Sequence, residues 1–267
     1  MKMPSDRNAK TRVRIAFFFL FVFMIVFSVA AYFVPDLGKL QESIAAREGQ
    51  TALQGITEPK QIDEVLRQHP SNKFLQMIAM ATKATNETDA AIGKLSNEIE
   101  SPAISSDNNL GAASRSDLEA LRRDLKTAEA NATAFMPRYI ALLKTERDNV
   151  EKYALSLHLG KDTTGRLLDN IDKRHAEITA FASRMLLARA DFYRAYENYV
   201  AVLVGEFGAY KVVNGQFIFP FQRTVDRYNA AASAMTVAST RVAELEEERE
   251  RLLKSQQQAW EQFVNGK

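Results

Sequence analysis

The chain of 267 residues contains no cysteine. That absence excludes disulfide bonds, thiolate metal sites, iron–sulfur clusters and a cysteine nucleophile. Glycine and proline are also scarce, at 11 and 7 residues, which argues against a collagen-like, low-complexity or turn-rich all-β chain. The sequence has no phosphate-binding loop, no serine-hydrolase elbow and no zinc-protease motif. We therefore expect a non-enzymatic protein with no catalytic residue, no cofactor and no bound metal.

An excess of one charge sign is also missing from most of the chain. The formal net charge is only +2, and residues 1–14 account for five basic side chains and one acidic one. The remaining residues carry 30 basic and 32 acidic side chains. A surface with this balance does not suit a polyanion, so we expect no nucleic-acid partner.

Residues 15–34 form a run of 20 residues without a charged side chain, and eight of them are aromatic. A helix of this length spans about 30 Å, which matches the hydrocarbon core of a bilayer. The basic side chains before the run predict that residues 1–14 form a cytoplasmic tail and that the chain after residue 34 lies outside the cytoplasm. This topology is typical of a bacterial inner-membrane protein with a periplasmic domain.

A cleaved signal peptide is the main alternative interpretation of the same run. Ser28 and Ala30 provide small residues in the pattern of a cleavage site. The apolar run is longer than the core of about 7–15 residues in a signal peptide, and it continues past Ala30. We therefore favour a signal anchor that is retained, although the sequence leaves cleavage open.

The rest of the chain is predicted to be helical. Residues 35–70 are interpreted as a juxtamembrane connector with a short helix, and residues 71–267 as an extracytoplasmic helical bundle with a flexible loop at 101–115. Apolar residues at three- and four-residue spacing predict long helices there. The fold class is thus all-α, a transmembrane helix followed by an elongated antiparallel helical bundle or coiled coil with one small β-hairpin insertion. The helices are expected at 71–100, 116–158, 164–207 and 220–264.

The third of these long helices has the most regular pattern in the chain. Its apolar and aromatic positions alternate three- and four-residue steps for about five heptads, which is typical of a helical bundle. The predicted inner positions are Leu168, Ile171, His175, Ile178, Ala182, Met185, Arg189, Phe192, Tyr196, Tyr199 and Leu203.

Local signals place the helix boundaries. Ser71 is predicted to cap the first long helix, and the pair Ser116 and Glu119 to form a capping box at the start of the second. Pro137 should kink or split that second helix. Pro220 suits the first turn of the last helix.

An Asn-Gly pair at residues 214–215 predicts a two-residue type I′ hairpin over residues 209–219, because both central residues need positive φ. The resulting register pairs Val213 with Gln216 and Val212 with Phe217. Ten of the 25 aromatic residues lie between residues 192 and 228, around this hairpin. They seal the core, form a surface that docks a partner, since aromatic side chains dominate interfaces, or line a small-ligand pocket between helices. The candidate partner-contact residues are Tyr210, Val212, Phe217 and Phe219.

His175 follows Asp172 by three residues, the spacing of half a helical metal motif. A di-metal bundle needs matched sets on several helices, and no second set exists. We therefore interpret His175 as a polar residue of a helix seam that can respond to pH.

These features favour a single-pass, membrane-anchored helical scaffold or assembly protein of the cell envelope. Its expected partners are the lipid bilayer and a protein partner, or a second copy bound through its helices. The alternatives are an extracytoplasmic sensory or ligand-binding bundle and an accessory subunit of a larger membrane complex.

Overall fold

A computed structural model describes residues 44–54, 56, 60–99, 109–158 and 161–264. This part of the chain is mostly helical and contains one two-stranded antiparallel hairpin, so the all-α prediction with a small β insertion is confirmed. The elements in chain order are α1 (Ile44–Leu53), α2 (Lys60–Gln68), α3 (Lys73–Asn97), α4 (Arg115–Ser156), α5 (Lys161–Gly205), β1 (Lys211–Val213), β2 (Gln216–Ile218) and α6 (Gln222–Val264).

The predicted cytoplasmic tail at residues 1–14 and the predicted transmembrane helix at residues 15–34 lie outside the described residues. None of the helices in the described ranges combines the length and the apolarity that a bilayer crossing requires. Membrane anchoring therefore stays a prediction from the sequence.

The described residues belong to two compact units. The first takes its described residues from 95–137 and 181–247, and the second takes its described residues from 44–94, 138–180 and 248–264. Helices α3, α4, α5 and α6 each contribute residues to both units.

In the first unit, helices α4 and α5 run antiparallel. Both Nε and a terminal nitrogen of Arg122 donate to one carboxylate oxygen of Glu197, at 2.9 and 2.6 Å. Further along, Arg194 Nε donates to Glu129 Oε1 at 2.8 Å. From the first pair to the second, the residue number rises on α4 and falls on α5, so the two helices run in opposite directions. Such charge-assisted pairs fix the register of two helices whose seams supply most of the stability.

The second unit has an apolar core beneath the two short helices. Leu53 at the end of α1 is fully buried, and so are Leu75 and Ile78 of α3. Val150 of α4 and Leu168 of α5 belong to the same cluster. In this unit Arg147 Nε donates to Asp172 Oδ1 at 2.7 Å and connects α4 with α5.

The seam predicted on α5 is confirmed. Eight of its eleven positions are buried and the other three are half-buried. The half-buried positions are His175, Phe192 and Tyr196. A regular alternation of three- and four-residue steps is sufficient to predict a buried face because it follows the turn of the helix.

The predicted helix cap at Ser71 is wrong by one residue. Helix α3 begins at Lys73, and Asn72 Oδ1 accepts hydrogen bonds from the backbone N–H groups of Phe74 and Leu75, at 3.1 and 3.2 Å. The carboxamide of Asn72 is buried against the first turn, whereas Ser71 is exposed. Asn therefore satisfies two donors that Ser71 cannot reach.

Replacing Asn72 with alanine is expected to lower the free energy of unfolding by about 1 kcal/mol, because those two donors lose their acceptor. Urea unfolding followed by circular dichroism at 222 nm measures this change. Ser71→Ala is the matched control and should change stability by less than about 0.5 kcal/mol. Equal effects of the two substitutions would contradict the assignment of the cap.

The capping box at the start of α4 also lies two residues before its predicted place. Ser114 Oγ accepts from the N–H of Asp117 at 3.2 Å, and Asp117 Oδ2 accepts from the N–H of Ser114 at 3.0 Å. Ser114 also donates its hydroxyl to Asp117 Oδ2 at 2.7 Å, and this bond, followed by the one from the Ser114 backbone N–H, lowers the pKa of Asp117. The reciprocal arrangement is a capping box in which aspartate takes the usual glutamate position.

Helix α4 continues through Pro137, so this proline does not split the helix, and the kink that was the other predicted outcome stays a prediction. Pro137 is exposed, and water can reach the carbonyl group of Thr133 that the proline leaves without its usual donor. The helix ends at Ser156, and His158 adopts the left-handed conformation with φ of 54°. The last helix, α6, begins at Gln222. Pro220 therefore precedes its first turn and does not lie in it.

Candidate functional site: the hairpin between helices α5 and α6

The hairpin that joins α5 to α6 has the predicted geometry. Asn214 and Gly215 have φ angles of 52° and 75°, as both central residues of a type I′ turn require. The register pairs Val213 with Gln216, Val212 with Phe217 and Lys211 with Ile218, which confirms the prediction. The backbone alone therefore determines which side chains share a face of the hairpin.

One face of the hairpin packs into an aromatic cluster. The ring of Phe219 lies 5.0 Å from that of Tyr228 on α6 and 5.6 Å from that of Tyr210. Tyr210 also makes an edge contact with Phe217 at 5.1 Å. Edge-to-face pairs at these distances add stability beyond the area they bury.

Helix α5 enters the same cluster through a hydroxyl pair. The Tyr199 and Tyr228 hydroxyl oxygens lie 2.9 Å apart, and their rings are 5.2 Å apart. Burial, and after it the hydrogen bond to Tyr228, raises the pKa of Tyr199. Tyr199 therefore stays neutral, and its contact with Tyr228 connects α5 to the aromatic cluster of the hairpin.

The four candidate partner-contact residues differ in their exposure. Phe219 is buried, Tyr210 and Phe217 are half-buried, and Val212 is exposed. Val212 lies over the turn at Gly111, where a Cβ would come within 3.0 Å of its methyl group. The three rings thus support the hairpin from inside, and their role in contacting a partner stays a prediction.

The other face of the hairpin is directed to solvent and is partly apolar. Val213 and Ile218 lie diagonally across the two strands on this face, and Ile218 is 52% exposed. Phe207 before the hairpin and Phe221 after it are also exposed, Phe221 at 65%, and the ring of Phe207 makes an edge contact with that of Tyr210 at 6.2 Å. Below, these four residues are called the hairpin patch.

The exposed apolar side chains concentrate in this region. In the described ranges, nine large hydrophobic side chains are exposed, and five of them lie between residues 207 and 221. Single exposed apolar residues are normal on a protein surface, whereas a concentration of them marks an interaction site. The sequence pattern indicated the right hairpin, but it did not single out Phe207 or Phe221. The signal that could have found them was their position at the ends of the two predicted helices that flank the hairpin.

A second polar site lies inside the second unit. Asp89 on α3 is only 3% exposed, and neither of its carboxylate oxygens has a hydrogen-bond partner among the described residues. Burial, and after it the charge of Glu146, raises the pKa of Asp89 to about 9. The carboxyl group is therefore protonated at neutral pH.

Glu146 on α4 connects three helices around this acid. Its Oε1 accepts from the hydroxyl of Thr85 at 2.8 Å, and its Oε2 lies 3.6 Å from Nε2 of His175 on α5. The fully buried ring of Tyr139 is close by, and burial and the charges of Glu146 and Asp89 raise its pKa. The arrangement is a buried polar layer in an otherwise apolar bundle.

The seam interpretation of His175 is consistent with its place beside Glu146. Asp172, its partner in the half-motif, accepts a hydrogen bond from Arg147 instead. In the part of the chain that the structure describes, no three histidine, aspartate or glutamate side chains are grouped as a metal site requires. The sequence analysis missed Asp89, because one aspartate in a helix rich in threonine and alanine gives no periodic signal.

Comparison of the chain with protein-family models, with curated proteins and with solved structures gave no match. The functional inference therefore depends on the residues of this chain alone.

Proposed function

We propose that the chain is a single-pass, membrane-anchored helical scaffold or assembly protein of the cell envelope, and that it docks its partner through the hairpin patch. Residues 15–34 anchor the chain, and the helical bundle carries the hairpin outside the cytoplasm. The observation that supports this proposal most strongly is the concentration of exposed apolar side chains at one hairpin. A hairpin held by packed rings presents such side chains at little entropic cost.

The absence of the usual catalytic motifs supports a non-enzymatic role. In addition, the titratable groups with the largest shifts in the described ranges, Asp89, Tyr139 and Tyr199, are enclosed by helices. A catalytic acid or base must reach a substrate in a cleft, so buried groups of this kind support structure.

The double substitution Ile218→Asp with Phe221→Asp is expected to abolish the binding of a partner. Two carboxylates on the patch would have to lose their hydration at the interface. The full chain would be produced in membranes with an affinity tag, extracted in detergent and purified with its bound proteins and lipids. The co-purifying partner should fall at least about tenfold, which corresponds to a loss of about 1.4 kcal/mol.

Val237→Asp is the matched control, since Val237 is 68% exposed on α6 of the same unit. That variant should retain the partner. Circular dichroism must show unchanged helix content for all variants, because the substituted side chains are exposed. Retention of the partner by the double variant would overturn the role of the hairpin patch. Substitution of Phe219 does not serve this test, because its buried ring supports the fold.

A sensory or ligand-binding bundle is the second candidate function. The buried layer of Asp89, Glu146 and His175 favours it, because helical bundles place ligand-responsive polar groups between facing helices. The two candidates differ in their response to the hairpin variants. Only the scaffold depends on Ile218 and Phe221.

A further inference from the structure

We infer that the surface bound by the hairpin patch is a lipid bilayer with anionic headgroups. This inference rests on the proposed function, in which the same patch is the docking surface, and it specifies the chemical class of the partner. Three features of the hairpin support it: the type of exposed side chain, the sign of the nearby charges and the rigidity of the support.

The exposed side chains are those that favour a membrane interface. Phe207 and Phe221 are aromatic, and Val213 and Ile218 are aliphatic, and all four are exposed in a segment of 15 residues. Rings and branched aliphatic side chains that enter the boundary between headgroups and acyl chains bury apolar area without a preformed partner pocket.

The charged side chains within the hairpin segment are of one sign. Residues 207–225 contain no aspartate or glutamate, while Lys211 and Arg223 are both exposed. Lys211 shares the face of Ile218, because the two residues are paired across the hairpin. Basic side chains beside exposed apolar ones are the pattern that anionic lipids attract.

The acidic side chains that flank this segment are engaged in local hydrogen bonds. Glu206 Oε1 accepts from the hydroxyl of Thr224 at 3.2 Å, and Asp226 Oδ1 accepts from the side-chain amide of Gln222 at 2.8 Å. Their carboxylates therefore have partners of their own beside α6. Both donors are neutral, so the two carboxylates keep their charge and lie on either side of the basic segment.

The hairpin is short and firmly supported, which fits a shallow insertion. Its strands have three residues each, and the rings of Tyr210, Phe217 and Phe219 hold one face against the helices. The outer edges of the strands need water for their free backbone groups, so the hairpin enters the headgroup region and not the hydrocarbon core.

The absence of cysteine allows a direct test with single labels on the full chain. The variant Q216C carries an environment-sensitive fluorophore on the face of Val213 and Ile218. The variant S239C carries the same label at an exposed position of α6. Both labelled chains are reconstituted in vesicles of phosphatidylglycerol and phosphatidylcholine that contain a nitroxide-labelled lipid.

The label at position 216 is expected to be quenched by the nitroxide lipid at least about five times more than the label at position 239. Adding Ile218→Asp and Phe221→Asp should reduce this quenching to the level of the control position, whereas Val237→Asp should not. Vesicles of phosphatidylcholine alone, or high salt, should weaken the quenching, because Lys211 and Arg223 contribute through their charge.

Equal quenching at the two positions in anionic vesicles would overturn the inference, and so would quenching that survives the double aspartate variant. The proposed function fails in a different way. If the chain does not float with vesicles after alkaline washing, the prediction of a membrane anchor is wrong. In that case, quenching of the label after the chain is mixed with the same vesicles still tests whether the hairpin binds lipid. If the label at position 216 stays in water but the double variant loses a bound protein, the docking surface stands and its partner is a protein.

Discussion

Replacing Asp89 with asparagine is expected to stabilise the protein at neutral and alkaline pH. The pKa of Asp89 is about 9 in the folded protein, well above the value of 3.8 for an unburied group. A group whose pKa is higher in the folded state than in the unfolded state stabilises the folded protein fully at pH values below the unfolded pKa. This contribution is lost as the pH rises through the folded pKa. The wild type should therefore lose stability from about pH 4 to pH 9, and Asp89→Asn removes this loss.

The expected size follows from the linkage relation. Between these pH values the Asp89 carboxyl holds a proton in the folded state and has lost it in the unfolded state. The wild type therefore loses about 1.4 kcal/mol of unfolding free energy for each pH unit relative to the variant. The relative change from pH 5 to pH 8 is about 4 kcal/mol. Denaturant unfolding at several pH values measures it. Asp169→Asn, at an exposed position of α5, is the control and should follow the wild type. Parallel curves for Asp89→Asn and the wild type would contradict the burial of a protonated acid.

Replacing Glu246 with alanine is expected to lower the free energy of unfolding by about 3 kcal/mol. Arg189 on α5 is only 2% exposed, and its terminal nitrogen donates to Glu246 Oε1 at 3.1 Å. Removal of one member of a buried ion pair takes a counter-charge away from the buried charge that remains, which is far more costly than the loss of an exposed pair. The helices α5 and α6 should therefore separate more easily in this variant.

Glu244→Ala is the matched control two residues away on the same helix. Glu244 pairs with Arg241 at 3.0 Å, and both side chains are more than half exposed. Such pairs contribute about 0–1 kcal/mol. Thermal and urea unfolding of the two variants should therefore differ by at least about 2 kcal/mol. A similar loss in both variants would show that Arg189 does not depend on Glu246.

The sequence predicted those elements whose signal is local or periodic. Asn214 and Gly215 determined the hairpin register, because positive φ at two consecutive residues leaves few alternatives. The seam of α5 was predictable from the regular spacing of its apolar positions. Both features were confirmed at the level of single residues.

Features that depend on packing could not be predicted in this way. Gly49 lies in helix α1, and the ring of Phe74 lies against it in the space that a Cβ would fill, a contact that no local pattern contains. Asn72 and Ser71 are both good capping residues, and only the path of the chain decides between them. Asp89 is a polar residue in a helix, and its burial follows from contacts with α4 and α5 that no local pattern contains.

At the candidate site, too, the sequence could not predict the features that depend on tertiary packing. Its periodicity assigned Tyr210, Phe217 and Phe219 to one face and Val213 and Ile218 to the other. Which face contacts the helices depends on the positions of Tyr199 and Tyr228, which belong to different helices. The pattern therefore located the site, and the tertiary structure separated its supporting rings from its exposed patch.

Alkaline extraction of membranes that contain the 267-residue chain, followed by mass measurement of the retained protein, tests membrane anchoring directly. We expect the chain to remain with the membranes at its uncleaved mass of 30.0 kDa, because we propose that residues 15–34 anchor it in the bilayer. Release of the chain into the supernatant would contradict an anchored scaffold. So would the lower mass of a chain whose first residue follows Ala30.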